Sequence, residues 1–157
     1  MITRDYLLTI LPEIEEFSSD DIQYQVLEAD GYDGVVALLS NVRDVCFPAV
    51  VIEDRTIGNI SIDSGPVDSY SIPLWVMVSN DTTKTRTELF QSAFNMTLKI
   101  LKLFMRDINT AADLSGWDFA RIGYSKRSGP DCYGYEVLMT FRDNIDLSYE
   151  QPDDDDI

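Results

Sequence analysis

TRTELFQSAFNMTLKILKLFMRDI, residues 85–108, is the stretch that decides the fold. Phe90, Ala93, Phe94, Thr97, Leu101, Phe104, Met105 and Ile108 recur at three- and four-residue spacing, which draws one apolar stripe along an α-helix over about 86–108. Thr85-Arg86-Thr87-Glu88 opens it as a capping box. The Thr85 hydroxyl can accept from the third helical amide while Glu88 reaches back to the cap. Arg86, Lys99, Lys102 and Arg106 fall mostly off the stripe and read as solvated or partner-facing charge. A helix this long with one apolar face needs a broad apolar surface to cover, and the flanking text supplies strands.

On its N-terminal side, Phe47-Pro48-Ala49-Val50-Val51-Ile52-Glu53 is rich in β-branched residues, with Pro48 near the start, where a strand tolerates it. Ile57, Ile60 and Ile62 continue as a second extended piece before the Ser64-Gly65-Pro66 turn. Tyr70, Ile72, Leu74, Val76 and Val78 then alternate with Ser71, Pro73, Trp75, Met77 and Ser79. One face of that strand is uniformly apolar. The other is mixed and can lie against something else. Beyond the helix, Trp117 to Tyr124 and Tyr133 to Phe141 read as two more strands. The loop from Ser125 to Cys132 between them is exposed and locally basic. The predicted strands are thus 46–53, 57–63, 70–79, 117–125 and 133–141. The predicted class is α+β, a mostly antiparallel sheet with one long amphipathic helix packed on it through Phe90, Phe94, Leu101 and Phe104.

The first forty residues are less legible. Tyr6, Leu7, Ile10, Leu11 and Ile14 behind Thr3, a plausible N-cap, predict a helical segment over 3–17 that Pro12 kinks or splits. An apolar patch from Ile22 to Leu27 has no clear state, and residues 33–41 fit one or two helical turns. At 157 residues the expectation is a single domain over 1–150, followed by a disordered acidic tail, 151–157, that holds the Asp153–Asp156 run.

Charge constrains function more than any motif does. Twenty-eight acidic residues, twelve basic ones and no histidine give a net charge of −16. Residues 1–83 carry fifteen acids against Arg4, Arg43 and Arg55. Residues 84–142 carry nine bases against six acids, and residues 143–157 carry seven acids and no base. Such a field repels nucleic acid, because affinity for phosphate comes mainly from Lys and Arg. A basic middle segment can still meet the acidic flanks of another copy, which favours a self-associating protein.

Most catalytic constellations fail on inventory. Without histidine there is no Ser–His or Cys–His pair and no His-containing metal site. No phosphate-binding glycine loop occurs. Asp30-Gly31-Tyr32-Asp33-Gly34 lacks the spaced oxygen ligands and late glutamate of a calcium loop and reads as a turn. Among so many acids, Glu15-Glu16 and Asp20-Asp21 read as a solvated face rather than a hydrolase pair. Cys46 and Cys132 read as two buried free thiols, with a disulfide between them as the alternative. No stretch reaches the ~18 apolar residues of a membrane span, and the first residues show no signal-peptide run, so the expectation is a cytosolic product whose three Asn-x-Ser/Thr sites are chance matches. The candidate subunit-interface residues are Trp75, Lys126 and Arg127; Trp75 and Trp117, each in strand-like text, suit core or subunit-interface packing. No catalytic, cofactor-binding or metal-binding residue is assigned, and no cofactor is expected.

The order of elements resembles the tail-terminator and head–tail joining (neck ring) proteins of tailed bacteriophages. Those are small α/β proteins with an N-terminal helix, a β-section with a long central hairpin, one long amphipathic helix packed on the sheet, and two final strands. The matching text is Phe47 to Glu53, the strand from Tyr70 to Ser79, the helix from Thr87 to Asp107, and Tyr133-Gly134-Tyr135-Glu136-Val137-Leu138-Met139-Thr140-Phe141 as the closing strand. The likeness spans roughly residues 43–149. Pro12 and the acidic stretch 18–33 depart from the family's single N-terminal helix. The resemblance implies a virion protein made in the host cytoplasm, a homo-oligomeric ring of six or twelve copies at the neck or tail end. Its partners would be itself and other connector, portal or tail proteins, with genome DNA passing through the lumen without specific binding and with no membrane. The rival readings are an acidic cytosolic binding module or chaperone for a basic protein, and a small acid-catalysed hydrolase.

Overall fold

The computed structural model describes residues 2–40, 45–54, 58–61, 67–107, 114–124 and 132–144. The architecture is α+β, as the sequence predicts. In chain order the elements are α1 (Arg4–Ile10), α2 (Ile22–Gln25), β1 (Val26–Ala29), α3 (Gly31–Ser40), β2 (Ala49–Glu53), β3 (Gly58–Ser61), β4 (Val67–Ser79), α4 (Arg86–Arg106), β5 (Leu114–Tyr124) and β6 (Cys132–Asn144). The sheet order is β1-β2-β4-β6-β5, with β3 pairing the beginning of β4. Only the β1–β2 pairing is parallel. The others are antiparallel, the longest joining β4 to β6 from Val67↔Asn144 to Ser79↔Cys132.

The strand alternation read from the sequence sets the two faces of the sheet. Tyr70, Ile72, Leu74, Val76 and Val78 of β4 lie with Val137, Met139 and Phe141 of β6 in the main core. Leu89, Phe90, Ala93, Met96, Ile100, Leu101 and Phe104 of α4 close over them. Both halves of the capping box form, with Glu88 N donating to Thr85 Oγ1 at 3.2 Å and Thr85 N donating to Glu88 Oε2 at 2.7 Å. Such a cap is worth about 1 kcal/mol. The buried stripe is rotated from the one read in the sequence: Leu89, Met96 and Ile100 belong to it, whereas Met105 is 53 % exposed and Phe94 is half-buried. Ile108 lies outside the described residues.

The mixed face of β4 is covered by α3. Val35 and Leu39 pack with Val51, Trp75, Met77 and Cys132 in a second, smaller core. Cys46 and Cys132 are free thiols, as read, but only Cys132 is buried as expected and Cys46 is half-buried. The backbone enters α3 through Gly31 at φ +68°, a left-handed conformation that glycine adopts at little cost. Gly134 is required for a different reason. A Cβ there would lie 1.9 Å from the Val76 carbonyl oxygen, so β4 and β6 can approach as they do only with no side chain at this position.

Pro12 splits the N-terminal segment as predicted. Helix α1 ends at Ile10, and two single 3₁₀ turns follow, Leu11–Glu13 and Glu15–Phe17. Thr3 caps α1 by accepting from Tyr6 N at 3.2 Å. The patch at 22–27 resolves into α2 and β1, and β1 extends the sheet in parallel beside β2, a strand the sequence reading does not include. Four residues of alternating-neutral text, Val26-Leu27-Glu28-Ala29, carry too little pattern to announce an edge strand. The predicted disordered tail, 151–157, and most of the 125–132 loop lie outside the described residues.

Candidate assembly surface

Trp75 is not on a surface. It is fully buried, its Nε1–H donates to Glu53 Oε2 at 2.6 Å, and the ring of Tyr32 lies 5.8 Å from its own. An indole enclosed in the folded chain cannot meet a neighbouring subunit, so of the two readings of Trp75, core or interface, the core one holds and its place among the interface candidates is corrected. The physical reason is α3. Gly31 and Gly34 made that stretch read as a turn or two, whereas it is a ten-residue helix that covers the mixed face of β4. Lys126 and Arg127 lie outside the described residues.

The basic residues of α4 divide into two groups. Lys99 Nζ meets Glu16 Oε1 at 2.7 Å, and Arg106 grips the Glu13 carboxylate with both Nη atoms, Nη2 at 3.0 Å from Oε1. Tyr6 donates its hydroxyl proton to Asp107. These contacts fasten the N-terminal segment to α4 and hold the Glu13 and Glu16 carboxyls below the usual range, mainly through the bonds from Arg106 and Lys99. Two of the four cations read as solvated or partner-facing are therefore engaged within the chain. Arg86 lies over the Phe90 ring at 5.5 Å, and Lys102 is exposed. The basic middle segment has less charge to offer a second copy than its composition suggests.

Concavities in the described surface are shallow. One of about 380 Å³, on α4 and the N-terminal segment, is lined by Glu16, Ser92, Asn95, Leu98, Lys99 and Lys102. Another of about 200 Å³ lies on the far side of the sheet, against Asp118, Ala120, Glu136 and Leu138. Burial raises the Glu136 carboxyl above its usual range, and the Glu53 charge adds to the effect. Glu53 itself is committed to the Trp75 indole, so its nearness to Glu136 is a packing feature of the sheet. Asp54, at the end of β2, is likewise raised, chiefly by a hydrogen bond with Asp30. Among the described residues no three metal-ligating side chains cluster, and no helix is long and apolar enough to cross a membrane.

The feature most suited to contact is β5. It ends the sheet, and its side chains from Ser115 to Arg121 are all exposed. Trp117 and Phe119, at 36 % and 38 %, share its α4-side face. The Phe119 ring stands 5.9 Å from that of Phe94 and 6.5 Å from that of Tyr135. Arg121 Nε donates to Tyr135 Oη at 3.1 Å, and its guanidinium lies 5.2 Å over Phe90. The sequence marks Trp117 but not Phe119. Alternation shows which residues share a face, while only the strand order shows that, among the described residues, no strand pairs with the far edge of β5. No protein-family model matches the chain, and no curated protein sequence matches it.

Proposed function

We propose that the chain is a structural protein of the virion of a tailed bacteriophage, a ring subunit at the head–tail neck or tail end without catalytic activity. The observation that carries this reading is the order and packing of the elements. A long capped helix lies over a mostly antiparallel sheet, between a central long strand and two closing strands, as in the ring proteins that the sequence resembles. The charge supports it as well. A ring traversed by DNA gains from a lumen that does not hold phosphate, and a chain of net charge −16 offers little counterion release. Ring closure requires heterologous contacts that return on themselves, and unequal charge along the chain suits such head-to-tail contacts.

Negative-stain imaging of the purified protein tests the reading. Annular particles with a central opening are expected. A monomer that instead captures a basic protein would replace it with the acidic binding module.

A further inference from the structure

The sheet treats its edges differently. At the β1 edge, Arg4 reaches across to donate from Nε to Val26 O at 2.8 Å and from Nη2 to Gln23 O of α2 at 3.2 Å, so a charged side chain occupies the first carbonyl of the edge strand. Strand β3 spans four of the described residues. Short or charge-covered edges are the usual protection against unwanted strand pairing. Strand β5 has eleven residues, no proline and no lysine, with one irregularity, at Leu114/Gly116. Exposed aromatics lie along it rather than charges that would repel a partner.

We propose that β5 is where two copies of this chain join, β5 against β5 in antiparallel pairing, so that one sheet runs through both. The charge distribution tolerates a second copy in registers that keep the two Asp118 carboxylates apart. Most of a −16 surface repels its own copy, but β5 from Leu114 to Arg121 carries one acid, Asp118, and one base, Arg121. Pairing about a two-fold axis normal to the sheet places residues of equal parity opposite each other. Centred on Phe119, it sets Phe119 against its twin, Trp117 against the partner's Arg121, and Asp118 against Ala120. No like charges meet, and each arginine gains an aromatic neighbour, a pairing that stabilises cross-strand contacts. Centred on Asp118, it would place two carboxylates directly opposite each other. This contact is isologous, whereas a ring closes by heterologous ones, so it holds whether or not the ring reading does.

Light scattering behind size exclusion, at 0.1 M and 1 M salt, tests the proposal with Phe119→Lys, Phe119→Glu and their equimolar mixture. The wild-type mass should be an even multiple of the chain, and the pair should persist at high salt, because backbone pairing and apolar contact are not screened as ion pairs are. Each variant places like charges at the two-fold axis and should halve the mass of the pair. The mixture should restore it. A monomeric wild type, or folded variants of unchanged mass, would overturn the proposal. If the variants fail to fold, amide exchange of the wild type decides the matter. Protection of residues 115–121 should rise with protein concentration, and protection independent of concentration would overturn the proposal.

Discussion

The Trp75 indole donates its hydrogen to the Glu53 carboxylate at 2.6 Å, and both side chains are buried between the sheet and α3. A buried carboxylate is stable only while such donors face it. Trp75→Phe keeps most of the packing and removes the donor, and should cost about 1–3 kcal/mol. Trp75→Ala adds a cavity, for about 3–5 kcal/mol. Urea denaturation of the two variants separates these contributions. A Trp75→Phe protein as stable as wild type would mean the hydrogen bond contributes nothing.

The second prediction concerns the helix–sheet core. Leu101→Ala should cost about 2–5 kcal/mol, as buried leucines do, and Phe94→Ala less, because that ring is half-buried. Gly134→Ala must force β4 and β6 apart or bend one of them, at about 1–3 kcal/mol or more. Denaturation midpoints check all three. A Gly134→Ala protein as stable as wild type would refute the close approach.

Much of this core was legible before any coordinates. Period-two alternation in 70–79 and period 3.6 in 86–108 name which side chains meet, because both patterns follow from backbone geometry alone. Trp75 was misread for a related reason. Alternation places it on the second face of β4 but says nothing of what covers that face, and α3 carries Gly31 and Gly34, which mask a helix. Strand β1 is four residues in parallel pairing, decided by its neighbour rather than by its own text. The same holds for the far edge of β5. Its residues read as a strand, and its position at the end of the sheet is a property of topology.

The third prediction is a pH dependence of mixed sign. The Glu13 and Glu16 carboxyls are lowered in the folded chain, so their contribution is present above the unfolded value of about 4.3 and is lost as pH falls through the folded values. Both pairs are solvent-exposed, so the effect is small and shrinks with salt. Glu136 is raised, so its contribution is full below the unfolded value and is lost as pH rises through the folded one. Glu136→Gln should therefore gain on wild type as pH rises from about 4 toward neutrality, then stay level. Midpoints measured across that range test this, and a gap independent of pH would contradict it.

The fourth prediction is the absence of measurable affinity for duplex DNA at physiological salt. Fluorescence anisotropy at ~0.15 M salt covers the ~10⁻⁴–10⁻⁶ M range of ordinary non-specific binders. Micromolar binding abolished by replacing Lys126 and Arg127 with alanine would make that loop a grip on the genome, against the low-friction lumen.

The central claim, that this chain builds a ring, is tested most directly by negative-stain imaging of the purified protein with class averaging. The account predicts annular particles of six or twelve copies, each with a stain-filled centre. Uniform compact particles of one or two chains, at concentrations where known assemblies persist, would contradict it.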